Sequence, residues 1–297
     1  EDHGVQRPAP AKINLFLHVG DRRADGYHDL FSLVVFASIG DTIRAVPAPE
    51  TRLCVSGPHA AGLDAGPSNL VLKAEAALRQ WAQARGHVVG HVDFDLEKNL
   101  PVASGIGGGS SDAAAALHLL AALWGLSVPP DELVRIGRSL GADVPVCLRA
   151  DATIMSGDGE HLAPAPELPD FAMVLVNPRV AVPTPTVFAD LKVRTGAHAL
   201  ALPQRFASLR ELMVFLDRTA NDLASPAKRI APAIMRVEQA LVATPDCLLA
   251  RMSGSGATCF GIYPDAAAAG RAAAALRARH PDWWIAEAAL WPPSKPG

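Results

Sequence analysis

Residues 101–112, PVASGIGGGSSD, place four glycines in five positions and lead into AAAALHLLAAL, a strongly helix-forming run. Gly105, Gly107, Gly108 and Gly109 permit positive φ and carry no Cβ to hold a ligand away from the backbone. Ser110, Ser111 and Asp112 are all good N-cap residues. Free amides of such a loop and of the first helical turn can converge on one spot, where the helix dipole adds about half a positive charge. That chemistry suits an anion, and a phosphate chain best. Either Ser110 or Ser111 can offer a hydroxyl to a phosphate oxygen or to Mg²⁺. Spacing excludes two familiar phosphate loops. No lysine follows the glycines, as a Walker A loop requires. Counting G-x-G-x-x-G from Gly105 or Gly107 puts Ser110 or Asp112 where the third glycine belongs. A flexible linker is the plain alternative, disfavoured by the cap residues and by a second glycine loop, SGSGA, at 253–257.

A phosphate site alone names no reaction; were the phosphate to be transferred to an acceptor, that acceptor would need orienting, a carboxylate near its proton and a cation near its nucleophilic atom. Asp143 is the candidate base. It follows Gly141, the expected end of a helix, and precedes VPVCL, which reads as an apolar strand; a capping or salt-bridging aspartate is the competing reading. Lys12 opens an apolar alternating strand, where an unpaired ammonium is costly to bury. Snorkelling from an edge strand is its alternative. Tyr27 and His28 lie in DGYHDL, where an aromatic face and an imidazole can stack on and edge-read a base, or merely cap a solvated hairpin. His87 and His91 lack the glutamate of a zinc helix, and no Ser–His–Asp arrangement is legible.

Behind these residues the chain alternates strand-like and helix-like patterns. AKINLFLHVG alternates over Ile13, Leu15, Leu17 and Val19, predicting a strand with one buried face. FSLVVFASI and DTIRAVPA predict two further strands. A helical stripe runs from Leu70 to Trp81, with Gly86 as its stop, and HVDFDLEKNLP alternates again. PPDELVRIGRSLG predicts a helix with acids at its front and an αL glycine cap at its end. Beyond residue 151 come a turn-rich segment, the strand FAMVLVNP, helices near 208–218 and 232–243, a strand–loop–strand around SGSGA and an alanine-rich helix. A boundary is expected near 155–165, giving domains 1–160 and 161–297, with the last 10–15 residues packing back on the first.

The 297 residues are 49% hydrophobic and 19% charged, ample material for two globular cores. A net charge of −3 and scattered basic residues predict neither a nucleic-acid nor a membrane partner. Cys54, Cys147, Cys247 and Cys259 form no CxxC pair and suit free thiols in a cytoplasmic protein. The longest apolar stretch, 113–126, contains His118 and falls short of a bilayer span.

PVASGIGGGSSDAAA resembles the phosphate-binding motif of the galactokinase, homoserine kinase, mevalonate kinase and phosphomevalonate kinase (GHMP) superfamily. PAKINLFL and SGSGA are similar to its other two signatures, in the same order. PAKINLFLHVGDRRADGYHDL and LGADVPVCL resemble the branch whose substrate carries a cytidine diphosphate, and the likeness spans about residues 8–260. It implies a two-domain α/β (α+β) fold: an N-terminal domain like ribosomal protein S5 domain 2 for ATP, a ferredoxin-like C-terminal domain for substrate, and a cleft between. It implies ATP and Mg²⁺ as cofactors, with no confident protein ligand for the metal. Lys12 and Asp143 are implied as the catalytic pair around the substrate hydroxyl. Pro101, Val102, Ala103, Ser104, Gly105, Ile106, Gly107, Gly108, Gly109, Ser110 and Ser111 would hold the phosphates, with Asn69, Leu70 and Lys98 near adenine. Asn14, Tyr27, His28, Thr184 and Phe188 would contact substrate. ANDL, at 220–223, resembles a family segment and reads equally as a helix cap. A monomer or weak homodimer is expected. A kinase of another small alcohol, or a catalytically silent nucleotide sensor, is the alternative function.

Overall fold

The computed structural model describes residues 4–291. The chain runs through β1 (Val5–Arg22), β2 (His28–Ala48), β3 (Arg52–Ser56), α1 (Leu70–Gln83), β4 (His91–Glu97), α2 (Gly108–Leu123), α3 (Pro130–Leu140) and α4 (Val144–Arg149). It continues with β5 (Thr153–Gly157), β6 (His161–Pro164), β7 (Ala172–Asn177), α5 (Thr184–Ala189), α6 (Leu209–Leu216), α7 (Ala224–Ile230) and α8 (Ala233–Val242). The last elements are β8 (Leu249–Met252), β9 (Cys259–Tyr263), α9 (Ala266–Arg279) and β10 (Trp284–Ala289).

Two compact units interleave along the sequence. The first comprises residues 1–11, 40–102 and 107–149; the second comprises 12–39, 103–106 and 150–297. The contacts therefore do not divide at a single point near 160, because residues 12–39 and 103–106 group with the later chain.

In the first unit β4 pairs antiparallel with Thr42–Ala48 of β2 and parallel with β3. Alternation in β4 buries Val92, Phe94 and Leu96, as the sequence predicts. Asn69 caps α1 by accepting from the Val71 N–H. α2 is buried around most of its circumference, from Ser111 to Leu117 and at Leu119 and Leu120. VPVCL is helix α4 rather than strand. Gly137 of α3 makes room for it: a Cβ there would lie 2.9 Å from Leu148 Cδ1 and 3.1 Å from Val144 Cγ1. The cap of α3 also differs from the sequence expectation, since Gly141 is extended (φ 171°) and not αL.

In the second unit β7 is central to an antiparallel sheet of order β10–β7–β9–β8. Helices α8 and α9 cover it through Ile234, Val237, Leu241, Ala269, Ala272, Ala273 and Leu276. β5 pairs with Leu30–Val34 of β2, and β6 with β5. The predicted pair FSLVVFASI and DTIRAVPA is one strand, β2. Gly40, which belongs to the first unit, is not a break: it lies so close to β1 that a Cβ there would sit 2.1 Å from the Ala9 carbonyl oxygen. β1 buries every residue from Ala9 to Gly20, both faces rather than one. At the chain's end, β10 pairs with β7, and the Trp291 N–H donates to the Phe36 carbonyl. The tail expected to pack back on the first domain falls in part on 292–297, outside the described residues. No helix among the described residues is long and apolar enough to cross a membrane.

Candidate active site

In the second unit, Lys12 sits on buried β1 and is only 4% exposed. Its backbone N–H donates to the Ile106 carbonyl (2.8 Å), anchoring the glycine loop to β1. Asn14 follows two residues later on the same face of the strand. The Asn14 N–H donates to Ser253 Oγ (3.1 Å), and its Nδ2 donates to Ser32 Oγ (2.9 Å). Ser32 Oγ in turn donates to the Phe16 carbonyl. Asn14 Oδ1 is buried without a hydrogen-bond partner. A side chain held this firmly, with its acceptor left over, is suited to a hydroxyl donor from a bound molecule.

The two glycine loops interlock. A Cβ on Gly105 would lie 2.5 Å from the Ser253 carbonyl oxygen and 2.8 Å from Gly256 N. A Cβ on Gly254 would lie 2.6 Å from the Gly105 carbonyl oxygen. Both glycines have positive φ. Gly105 is therefore glycine so that SGSGA can pack on it, a backbone-to-backbone contact and not open space for a ligand. The Thr258 N–H also donates to the Ser104 carbonyl. Asn221, buried in the ANDL segment, donates from Nδ2 to the Met252 and Gly254 carbonyls, both at 2.8 Å. Its Oδ1 accepts from the Leu223 N–H just ahead of α7, so capping and loop-holding coexist. Neither Asn221 nor Ser253 stood out in the sequence beyond its motif.

His28 stacks on Phe188 at 5.2 Å between centroids and 27° between planes. That separation leaves no room for a base between the rings, so any base would lie on an outer face. Burial, then Arg194 and Arg22, hold His28 below the usual imidazole pKa, which keeps one donor and one acceptor on the ring at neutral pH. Thr184, one turn before Phe188 on α5, shares a hydrogen bond with Ser255 (2.7 Å). Tyr27 lies in the β1–β2 turn with 59% of its surface exposed, beside Gly26 at φ 90°. A cavity of about 650 Å³ lies alongside, lined by Asp29, Leu30, Lys192, Arg194 and His198 among others.

In the first unit, Gly107 is the N-cap of α2, with φ 63° and no side-chain cap. The serines and Asp112, read as cap candidates, lie inside the helix instead. The first α-helical bond runs from the Ser111 N–H to the Gly107 carbonyl, so the amides of Gly108, Gly109 and Ser110 have no intrahelical acceptor. Ser111 Oγ donates to the Pro10 carbonyl (2.8 Å) and is buried, which leaves Ser110 as the half-exposed serine. Gly109 faces Leu70, whose Cδ1 would be 3.5 Å from an added Cβ. Asn69 spends its side chain on the α1 cap and on the Asp64 carbonyl. Pro101 is buried, and Val102 and Ala103 are exposed. Lys98 is buried in ion pairs with Asp41 and Asp112. Asp143, half-buried, immediately precedes α4, and its carbonyl accepts from the Cys147 N–H. All four cysteines are free thiols. Among the described residues, no group of three or more His, Cys, Asp or Glu is placed to hold a metal ion.

Two family models match the chain: the GHMP kinases N terminal domain over residues 69–151 and the GHMP kinases C terminal model over 197–282. A 4-diphosphocytidyl-2-C-methyl-D-erythritol kinase of Rhodospirillum rubrum is 51% identical over 282 residues, covering 94% of this chain and 90% of that protein. The protein of the same name from Dinoroseobacter shibae is 52% identical, covering 95% and 93%. Among solved structures, a 4-(cytidine 5'-diphospho)-2C-methyl-D-erythritol kinase superposes with a TM-score of 0.76 at 34% identity, over 97% of this chain and all of the other.

Proposed function

We propose that this chain, which belongs to the 4-diphosphocytidyl-2-C-methyl-D-erythritol kinase family of the GHMP kinases, phosphorylates the 2-hydroxyl of 4-diphosphocytidyl-2-C-methyl-D-erythritol. This is a step of the non-mevalonate route to isoprenoid precursors. The observation that carries the reading is the polar face of β1, where buried Lys12 stands two residues from buried Asn14 and its unpartnered acceptor.

ATP fits the start of α2, because a glycine cap with no side-chain hydrogen bond leaves the Gly108, Gly109 and Ser110 amides for phosphate oxygens. ATP would supply the phosphoryl group, leaving as ADP, and Mg²⁺ the counter-charge. The metal would rest mainly on phosphates and the Ser110 hydroxyl. Residues 101–111 form the phosphate loop in this reading, with Gly105 packed on SGSGA, Asn69 and Leu70 bordering adenine, and Lys98, expected near adenine from the resemblance, buried in its ion pairs beneath the start of α2. Asp143 accepts the proton of the 2-hydroxyl, and Lys12 holds the hydroxyl oxygen. Asn14 Oδ1 takes a hydroxyl proton of the substrate in a hydrogen bond, fixing its rotation. His28 reads the cytosine edge, Tyr27 or the outer face of Phe188 takes its ring, and Thr184 flanks it. A kinase of an uncytidylated alcohol has no use for the stacked His28–Phe188 pair. Residues 1–160 then form the ATP-binding domain, which also lends Lys12, Asn14, Tyr27, His28 and Asp143 to the substrate, and 161–297 form the substrate-binding domain, in a cytoplasmic monomer or weak homodimer with no nucleic-acid or membrane partner.

The test is to incubate the protein with Mg-ATP and the cytidylated substrate and follow phosphorus NMR. A new monoester resonance is expected, and it should be lost in Asp143→Ala. Its absence with wild-type protein refutes the reading.

A further inference from the structure

The start of α2 is underpinned by a buried ionic cluster in the first unit. Lys98 Nζ donates to Asp41 Oδ2 and, at 2.7 Å, to Asp112 Oδ2. Lys98 is 4% exposed, and both carboxylates are equally buried. Asp41 Oδ1 accepts from the Asn99 and Leu100 N–H groups (2.6 and 2.9 Å), so this carboxylate is saturated by the segment leading to the glycine loop. The Lys98 backbone is pinned as well. Its N–H donates to the Ser56 carbonyl, and its carbonyl accepts from the His59 N–H. The cluster lies directly under the loop: a Cβ on Gly108 would be 3.5 Å from Lys98 Nζ and 3.6 Å from Asp41 Oδ2.

Two carboxylates share one ammonium here, and the arithmetic of charge matters because a phosphate chain is expected just above. Burial pushes the Asp112 carboxyl up to about 8, against the pull of Lys98 and with help from Asp41, and its Oδ1 has no hydrogen-bond partner. Lys98 is held above its usual range, because its two carboxylates outweigh the burial that opposes them. The cluster thus sets two carboxyl groups and one ammonium beneath the anion cradle, with burial favouring the uncharged form of Asp112.

We propose that Lys98 is a positioning residue for the nucleotide cradle: its ammonium ties Asp112 of α2 to Asp41 of β2 and so sets the amides of Gly108 to Ser110, rather than meeting the nucleotide itself. The proposal rests on the kinase reading for its ligand but not for its geometry. Without the ammonium, Asp41 and Asp112 lose the cation that joins them, and the Asp41 charge is left buried with no counter-ion. Asp112→Asn removes the second titratable carboxyl and offers Asp41 an amide N–H donor from the same position.

The decisive comparison uses the full-length protein as wild type, Lys98→Met, Asp112→Asn and the double variant. Amide hydrogen exchange over 107–116 without nucleotide reads the cradle directly. Equilibrium titration with Mg-ATP reads its consequence. Lys98→Met should speed exchange at the start of α2 and weaken ATP binding about tenfold or more. It should leave KM for the alcohol within about threefold, since that substrate does not use these amides. Adding Asp112→Asn should restore both readouts to within about threefold of Asp112→Asn alone. If Lys98→Met does not fold, the double variant against Asp112→Asn carries the same comparison. An ATP deficit that persists in the double variant, or one with exchange unchanged, means that the ammonium contacts nucleotide and overturns the proposal. Rescue of exchange in a protein with no kinase activity would leave the positioning role standing and refute the kinase reading instead.

Discussion

Gly105→Ala separates the structural from the ligand-facing glycines of the loop. Gly105 has φ 78°, so an alanine there bears a left-handed penalty of roughly 1–2 kcal/mol. Its Cβ would also sit 2.5, 2.8 and 2.9 Å from three backbone atoms of Ser253 and Gly256. Backbone cannot swing aside as a side-chain tip can, so overpacking adds about 1–3 kcal/mol. The total, about 3 kcal/mol, corresponds to a drop in melting temperature of about 5–10 °C. Gly109 is the control. It lies in α2 without positive φ, and its added Cβ meets Leu70 Cδ1 at an ordinary 3.5 Å. Helix propensity predicts that Gly109→Ala melts at or slightly above wild type, by up to about 1 kcal/mol. Yet its methyl group enters the expected phosphate space, so KM for ATP should rise about tenfold or more, as when a close ligand contact is lost. Differential scanning fluorimetry and initial-rate kinetics read both variants. The reasoning fails if Gly105→Ala melts with wild type, or if Gly109→Ala proves the less stable of the two.

Asp143→Ala and Lys12→Met should each lower kcat by about 10²–10⁴-fold with smaller changes in KM for ATP, because the proposed mechanism places both at the hydroxyl; rapid-quench measurement of the chemical step checks this. Asn221→Ala strips the buried Met252 and Gly254 carbonyls of their donor and should cost about 2–4 kcal/mol in denaturant unfolding. Retention of wild-type stability would show that SGSGA holds itself. Since burial, then Arg194 and Arg22, hold the His28 pKa below its ordinary 6.5 in the folded chain, this group's contribution to stability is present above 6.5 and is lost as pH falls through the folded value. KM for the cytidylated substrate should therefore rise as pH falls through that folded value, and this rise should vanish in His28→Asn.

Much of the site is written locally. A glycine run with helix formers behind it announces an anion-binding helix start wherever it folds, because φ freedom and amide supply are properties of the segment itself. The alternation of β4, and Lys12 opening the apolar alternation of Ile13 to Val19, are local in the same sense. VPVCL shows where this stops. Its β-branched residues favour strand, and packing beside Gly137 makes it helix instead. Gly40 likewise looks like a strand end until Ala9 is placed against it.

Which glycine serves a ligand and which serves the chain was decided only by tertiary structure. Gly105 and Gly254 owe their lack of side chain to each other across about 150 residues of sequence, a spacing no local pattern encodes. Ser110 and Ser111 are alike in sequence, yet one hydroxyl is committed to Pro10 and the other is half-exposed. Lys98 stands 57 residues from Asp41 and 14 from Asp112, and a buried ammonium reveals its purpose only when both carboxylates are beside it. The sequence by itself determined that a glycine-led helix start and a lysine-bearing strand exist. Tertiary packing decided which backbone groups they present, because buried polar partners are chosen by proximity in space and not along the chain.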